Sequence, residues 1–263
     1  MESAASSASR ASPRISSAGA IAVRDDVLER HALRIGGIVP FTTTDFPGRL
    51  AAVLFVQGCP WRCGYCHNPH LIPAVADTGL REHTWAGVLR WLESRRGLLD
   101  GVVFSGGEPT AQRTIGEAVR DVRALGFQVG LHTAGMYPRR LAALLPDLDW
   151  VGLDVKAPRA GYEIVTGVAA SGMAAFESLD LLRRASVEYE VRTTVHPVLT
   201  PPAALQMLAR ELAARGVARW TLQPFRPIGC EDETVVAAAP RGMAVDAPLL
   251  AALGAHIPEI VVR

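Results

Sequence analysis

Three of the four cysteines are crowded into one short segment, at Cys59, Cys63 and Cys66, with the spacing C-x3-C-x2-C. Thiolates are soft ligands that suit zinc and iron–sulfur clusters. Three of them on one tight loop can hold three irons of a four-iron cluster, which leaves the fourth iron without a protein ligand. An open metal position is where a substrate or cofactor binds, so this spacing indicates a catalytic centre.

The same cysteines are compatible with a second kind of site. With His67 or His70 as fourth ligand they would form a structural Cys3His zinc site, and the protein would be a non-catalytic metal-binding module. Cys230 lies far away in the sequence, and we expect an ordinary loop thiol there. Cysteines this close together do not suit a secreted disulfide framework, so they indicate a reducing, cytoplasmic compartment.

Other residues are suited to a charged ligand. Residues 105–109 read SGGEP, in which the glycines permit close backbone approach and Glu108 suits a cationic amine. Asp154 and Lys156 are two positions apart on a predicted strand and therefore point the same way. Lys156 is the only lysine among 27 basic residues, which favours a need for a compact ammonium group. Arg192 lies in an apolar strand, where a charge is costly unless it is paired or faces a site.

The elements that must position these residues alternate along the chain. Apolar runs that predict strands lie at 50–56, 101–104, 127–131, 150–155, 189–195 and 219–223. Segments with helical periodicity lie at 84–96, 112–125, 138–145, 173–185 and 203–215. Six strand–helix units predict an α/β fold with a parallel sheet, a partial and open (β/α)6 barrel similar to a TIM barrel. Chemistry in such folds lies at the carboxyl ends of the strands, where the candidate residues fall.

The segment FVQGCPWRCGYCHNP resembles the signature loop of the radical S-adenosylmethionine (radical SAM) superfamily. The resemblance implies that the three cysteines hold a [4Fe-4S] cluster whose free iron is chelated by S-adenosylmethionine. It also implies that Tyr65 packs near the adenine. Gly106, Gly107 and Glu108 resemble the motif that contacts the methionyl amino group in that family.

A finer resemblance covers about residues 34–231. The stretch from Asp154 to Lys156, with the later Thr166-Gly167, is similar to one in glycyl-radical-enzyme activating enzymes. There the lysine, and an arginine at the place of Arg192, approach the cofactor carboxylate. We assign Thr133 and Asp154 to the same cofactor site. His132 stands where these enzymes commonly have aspartate, which puts a neighbouring monovalent-cation site in doubt.

The chain most resembles the activating proteins of anaerobic ribonucleoside-triphosphate reductase in three segments, which are 37–48, the CHNP that begins at Cys66, and 222–230. This resemblance implies an oxidoreductase that cleaves S-adenosylmethionine reductively to a 5′-deoxyadenosyl radical. That radical would generate a glycyl radical on the partner enzyme, and flavodoxin or ferredoxin would donate the electron. The alternative is a radical SAM enzyme that acts on a small molecule, as a deazapurine synthase does.

The remaining features set limits on partners and organisation. Residues 1–30 are rich in Ser, Ala and Arg and predict a disordered tail, although a transit peptide has a similar composition. Residues 31–263 are expected to form one radical SAM domain. A net charge of +1 argues against bulk electrostatic binding of nucleic acid. No apolar run reaches the roughly 18 residues of a membrane helix.

Overall fold

The computed structural model describes residues 33–74, 83–239 and 245–263, so the predicted tail at 1–30 lies outside the described residues. The strands are β1 Ile35–Thr42, β2 Ala51–Val56, β3 Gly101–Gly106, β4 Gln128–Thr133, β5 Trp150–Asp154, β6 Glu188–Val195, β7 Arg219–Pro224 and β8 Glu259–Val262. The helices are α1 Trp85–Glu93, α2 Ile115–Ala124, α3 Pro138–Leu144, α4 Tyr162–Thr166, α5 Ser171–Arg184, α6 Pro202–Ala213, α7 Glu233–Ala237 and α8 Ala247–Gly254.

All strands belong to one sheet in the order of the chain, from β1 to β8. Strands β2 to β8 are parallel to their neighbours, and β1 pairs with β2 in the antiparallel direction. Within the described part of the chain, β1 and β8 are the two edges and do not pair with each other. The predicted open α/β barrel is therefore confirmed.

The six predicted strands and five predicted helices are all present, but the barrel is larger than expected. β8 adds a seventh parallel strand, and the short helix α8 leads into it. β1 covers the other edge. Neither edge strand was predicted, because β1 contains Gly36, Gly37 and Pro40 and β8 has only four residues.

Alternate strand residues pack on the outer helices. The outward positions of β2 and β3, including Leu54 and Phe104, join one large core with the apolar faces of the helices. Gly126, with φ of +91°, follows the C-terminal end of α2, where a left-handed conformation favours glycine. Among the described residues no single helix is long and apolar enough to cross a membrane. The segments Arg159–Thr166 and Ser171–Arg184 together have the length and composition of a membrane span, but the chain bends by 118° between them.

The inward positions close one end of the barrel and leave the other polar. Phe46, in the loop after β1, is buried against Trp150 with ring centroids 5.9 Å apart, and Val53 and Val103 complete this inner cluster. Gly101 makes room for the ring, since a Cβ there would lie 2.8 Å from the Phe46 side chain. The floor of the barrel is thus apolar, and the charged residues lie above it.

Candidate functional site

A cavity of about 550 Å³ opens at the carboxyl ends of the strands. It brings together ten of the eleven site residues that the sequence predicts. They are Cys59, Cys63, Tyr65, Cys66, Gly106, Gly107, Thr133, Asp154, Lys156 and Arg192. Glu108 is the exception.

The cysteine loop follows β2 and is tied down by its backbone at both ends. The amides of Gly58 and Cys59 donate to the carbonyls of Leu71 and Ile72 at 2.7 and 3.0 Å. Further along the loop, the amide of Gly64 donates to the carbonyl of Val165 at 3.2 Å. These contacts fix the path of the loop while the three thiols line the cavity.

The thiols are held in surroundings that disfavour charge. Burial raises the pKa of Cys59 to about 12, and burial also raises the pKa of Cys63 and Cys66. The positive charge of Lys156 opposes this rise, because it favours the thiolate form of all three cysteines and so lowers their pKa. Since a ligating cysteine is a thiolate, bound metal must supply most of the stabilisation of the charged form.

The arrangement of the thiols bears on which metal group they fit. Across residues 33–74, 83–239 and 245–263, no three His, Cys, Asp or Glu side chains converge as they would around a single ion. A four-iron cluster does not require such convergence, because each thiolate binds a different iron. His67 lines the cavity but stacks on Phe225 with ring centroids 5.4 Å apart. The donor set therefore fits a [4Fe-4S] cluster and gives the Cys3His zinc site no support.

Two cations share one carboxylate on the opposite side of the cavity. Oδ1 of Asp154 accepts from Arg192, and Oδ2 lies 3.9 Å from Nζ of Lys156. The Arg192 and Lys156 side chains are only 6% and 13% exposed. Although burial favours the neutral carboxyl, the two cations hold the pKa of Asp154 below its ordinary value. One positive charge remains unneutralised within this group, which suits the carboxylate of an amino-acid ligand.

Tyr65 lies beside this group and is 4% exposed. Nζ of Lys156 lies 5.6 Å from the centre of its ring. The Tyr65 hydroxyl is buried and has no hydrogen-bond partner among the described residues. A buried polar atom without a partner is costly, so it is consistent with a ligand that supplies one.

Glu108 is the one predicted residue that does not line the cavity, and contact of its carboxylate with an amine remains a prediction. It is fully buried, and its oxygens accept four hydrogen bonds of 2.6 to 3.0 Å, two from Thr110 and one each from Thr133 and Ala134. Burial raises the pKa of the carboxyl, and these four donors oppose the rise. Its geometry is that of a group that joins the SGGEP turn to the end of β4.

The two glycines of SGGEP are needed for backbone packing as well as for the cavity wall. Gly106 has φ of +113°, and a Cβ on it would lie 2.4 Å from the amide nitrogen of Val56. A Cβ on Gly107 would lie 2.5 Å from the carbonyl oxygen of Gly58. Any larger residue would therefore push this turn away from β2 and the cysteine loop. Both glycines line the cavity, where they present main-chain atoms.

His132 is a neutral side chain in this structure. Burial and the charge of Arg192 lower its pKa to about 3. Nε2 lies 3.0 Å from the Asp45 carbonyl oxygen and therefore carries the hydrogen, and Nδ1 lies 3.3 Å from the Ser105 hydroxyl. With both nitrogens used, the imidazole supplies neither a positive charge nor a lone pair to the cavity.

Sequence reasoning missed the residue that makes room for Arg192. A Cβ on Gly152 would lie 2.8 Å from Cζ of Arg192 and 2.7 Å from the Trp150 ring. The guanidinium therefore lies across the bare backbone of β5, 6.0 Å from the centre of the Trp150 ring. The one available signal was a glycine inside an apolar strand, which often marks a close approach.

Cys230 and His196 lie near the cysteine loop without joining the predicted ligand set. The thiol of Cys230 donates to the Gly64 carbonyl at 3.4 Å. His196 is fully buried, and its ring contacts the Val235 carbonyl and the amides of Val198 and Leu199. Neither residue lines the cavity.

Comparison of the sequence with known proteins identifies the family to which this chain is similar. The sequence model of the radical SAM superfamily matches residues 53–210, which is more than half of the chain. The matched region begins in β2 and ends in α6. It includes the cysteine loop and every predicted cofactor residue.

Two relatives are similar over most of their length. A Methanocaldococcus jannaschii protein named as a glycyl-radical enzyme activating enzyme is 28% identical over 208 residues, 76% of this chain and 82% of that protein. The pyruvate formate-lyase-activating enzyme of Clostridium pasteurianum is 31% identical over 207 residues, 74% of this chain and 83% of that enzyme.

The fold is similar to that of Streptococcus suis SuiB in its crystal structure with the precursor peptide SuiA, with a TM-score of 0.60 at 12% identity. The match covers 90% of this chain and 51% of SuiB, so the chain spans about half of that protein's length. At this identity the likeness concerns the fold alone.

Proposed function

The chain belongs to the radical SAM superfamily, whose members use a [4Fe-4S] cluster and S-adenosylmethionine, and on that premise we propose that it activates a glycyl-radical enzyme. We further propose anaerobic ribonucleoside-triphosphate reductase as the partner and flavodoxin or ferredoxin as the electron donor. The observation that carries the proposal is that the three thiols and the Asp154, Lys156 and Arg192 group line one cavity. The names of both similar relatives support the class of partner.

Each wall of the cavity has a part in this proposal. Cys59, Cys63 and Cys66 hold three irons of the cluster. Lys156 and Arg192 bind the carboxylate of the cofactor, because Asp154 neutralises only one of their two charges. Tyr65 packs near the adenine. When bound, the cluster and S-adenosylmethionine supply a 5′-deoxyadenosyl radical that takes a hydrogen atom from a carbon.

The SGGEP turn and the end of β4 complete the cofactor site. Gly106 and Gly107 present main-chain atoms to the cavity, which can accept hydrogen bonds from the amino group of the cofactor. Glu108 acts behind them, since its carboxylate already accepts hydrogen bonds from Thr110, Thr133 and Ala134. In this proposal Glu108 and Thr133 orient the wall, and the glycine backbone makes the contact.

The proposal is tested in two stages under strictly anaerobic conditions. The protein is first reconstituted with iron and sulfide, reduced, and examined by low-temperature EPR with and without S-adenosylmethionine. We expect a four-iron signal whose g values move when the cofactor is added, and formation of 5′-deoxyadenosine. A cluster that does not respond to the cofactor would contradict the assigned site.

The second stage adds purified anaerobic ribonucleoside-triphosphate reductase and records the EPR spectrum of that enzyme. We expect the doublet of a glycyl radical, in an amount limited by the activating protein and the cofactor. Cofactor cleavage without a glycyl radical on the reductase would overturn the choice of partner. Catalytic cleavage that depended instead on a small molecule would favour the alternative substrate class.

A further inference from the structure

One wall of the cavity contains polar side chains that no part of the cofactor site uses. Thr194 on β6 and Gln223 on β7 are paired in the sheet register, and both line the cavity. Neither side chain has a hydrogen bond or ion pair with any residue that the structure describes. They form an adjacent hydroxyl and primary amide that face the open space together.

The next pair toward the floor on the same face of the sheet, Arg192 and Thr221, is different, because its hydrogen bonds are already made. Arg192 is bound to Asp154, and Thr221 donates to Glu190 at 2.6 Å. The same Glu190 also accepts from Arg263 at 2.7 Å. Thr194 and Gln223 are therefore free to form hydrogen bonds, and they lie two residues along their strands from a pair whose hydrogen bonds are already made.

Most of the predicted cofactor residues lie on the β2 to β5 side of the cavity, and only Arg192 shares strand β6 with Thr194. They come from the loop after β2 and from β3 to β6, whereas Gln223 lies on β7. A partner segment that enters from the strand ends would meet the β6–β7 wall once the cofactor fills the other side. The unused pair is thus placed toward the substrate.

The chemistry of the pair matches a peptide backbone. A primary amide both donates and accepts, as a peptide unit does, and a threonine hydroxyl can do the same. A glycine has no side chain to recognise, so contacts at the glycine itself must be made to its main chain. We propose that Gln223, assisted by Thr194, holds the main chain of the partner's glycine-bearing segment. This inference rests on the proposed function and makes Gln223 a positioning residue.

The test compares Gln223→Leu, which keeps most of the side-chain volume without its hydrogen bonds, with the wild-type protein. The matched control is Gln206→Leu on α6, on the outer layer of the fold. Each reconstituted protein is assayed for 5′-deoxyadenosine without a partner, for the KM of anaerobic ribonucleoside-triphosphate reductase, and for 5′-deoxyadenosine formed per glycyl radical. Thr194→Val provides a second variant of the same wall.

We expect Gln223→Leu to raise the KM for the reductase by about fivefold to tenfold, as the loss of a hydrogen bond would. It should also form more 5′-deoxyadenosine per glycyl radical, because a misplaced glycine does not give its hydrogen atom to the 5′-deoxyadenosyl radical. Cofactor cleavage without partner and the Gln206→Leu protein should match wild type. Thr194→Val should shift KM and coupling in the same direction by a smaller factor.

Two results would overturn the inference, and they differ from each other. Wild-type KM and coupling in both wall variants would reject the role of Gln223 and Thr194 while the proposed function stands. Cofactor cleavage by wild-type protein with no glycyl radical on the reductase would reject the proposed partner, and the inference with it.

Discussion

The guanidinium of Arg192 reaches Oδ1 of Asp154 through two nitrogens, Nε at 2.9 Å and Nη2 at 2.8 Å. Such a paired contact fixes the plane of the guanidinium as well as its position. Burial of an arginine in a parallel strand is costly without a partner, so Asp154 stabilises the charge that Arg192 presents to the cavity. The two residues are neighbours in the register of β5 and β6.

The substitution Arg192→Lys should weaken binding of S-adenosylmethionine by roughly tenfold, because an ammonium does not reproduce the paired contact. The measurement is an EPR titration of the reduced cluster with the cofactor. Arg219→Lys, at an exposed ion pair with Glu259, is the matched control and should bind as wild type does. Unchanged affinity in Arg192→Lys would remove Arg192 from the proposed cofactor contacts.

Gly152 allows a test of the same guanidinium without changing any charge. In Gly152→Ala the new methyl group would overlap Cζ of Arg192 and the ring of Trp150, so the arginine must shift. We expect cofactor affinity to fall by about tenfold while iron content stays at the wild-type level. Gly37→Ala, in β1, meets no atom within 4 Å and provides the control. Equal cofactor affinities for the two variants would mean that cofactor binding does not depend on the exact position of the Arg192 guanidinium.

His132 should make the folded protein less stable as the pH falls. Its pKa is about 3 in the folded state, against about 6.5 when unfolded, so between these values only the unfolded chain takes up the proton. The loss is up to about 1.4 kcal/mol per pH unit below 6.5. The charged groups that face the ring are Arg192, Asp154 and Asp45, of which the arginine opposes protonation.

The measurement is the free energy of unfolding in denaturant at pH 7.5 and pH 5.5 for wild type and His132→Gln. The variant should lose less stability between the two pH values, since the imidazole is gone. A pH dependence equal to that of wild type would show that the ring is protonated readily in the folded protein.

Glu108→Gln separates an internal role of this side chain from direct contact with the cofactor. The amide cannot accept at both positions, so at least one of the four donors from Thr110, Thr133 and Ala134 loses its partner. We expect the free energy of unfolding to fall by about 1–3 kcal/mol. A stable variant that had lost cofactor affinity would instead indicate direct contact with the amine.

The cysteines should divide into two classes when each is replaced by alanine. Cys59→Ala, Cys63→Ala and Cys66→Ala should lose most of the reconstituted iron and sulfide, because each removes a thiolate from the cluster. Cys230→Ala should keep both, since its thiol makes a weak bond to the Gly64 carbonyl and does not line the cavity. Loss of cluster from Cys230→Ala would make that residue part of the metal site.

Much of the fold could be predicted from the sequence because buried parallel strands are continuous apolar runs. The run at 50–56 and the strand Ala51–Val56 differ by one residue. β1 escaped prediction because its edge position tolerates Gly36, Gly37 and Pro40, which break the usual strand composition. β8 is too short for its alternation to be recognised.

The candidate site could be predicted as a set of residues but not as a geometry. The strand-end rule placed Cys59, Tyr65 and Lys156 in one cavity without any knowledge of distances. The orientation of the Glu108 side chain could not be predicted. It depends on hydrogen-bond donors at the end of β4, which lie 25 residues or more away along the sequence. The packing of Gly152 against Arg192 joins two strands and is likewise absent from local sequence.

The apolar floor made by Phe46 and Trp150 has a kinetic consequence for the proposed reaction. With that end of the barrel filled, we expect S-adenosylmethionine and the partner segment to approach from the strand-end side, where the cavity opens. We therefore expect an ordered addition, with the small cofactor entering first and the large protein second. In the proposed reaction we expect methionine and 5′-deoxyadenosine formed beneath a docked partner to leave only after it departs, so product release requires dissociation of the partner.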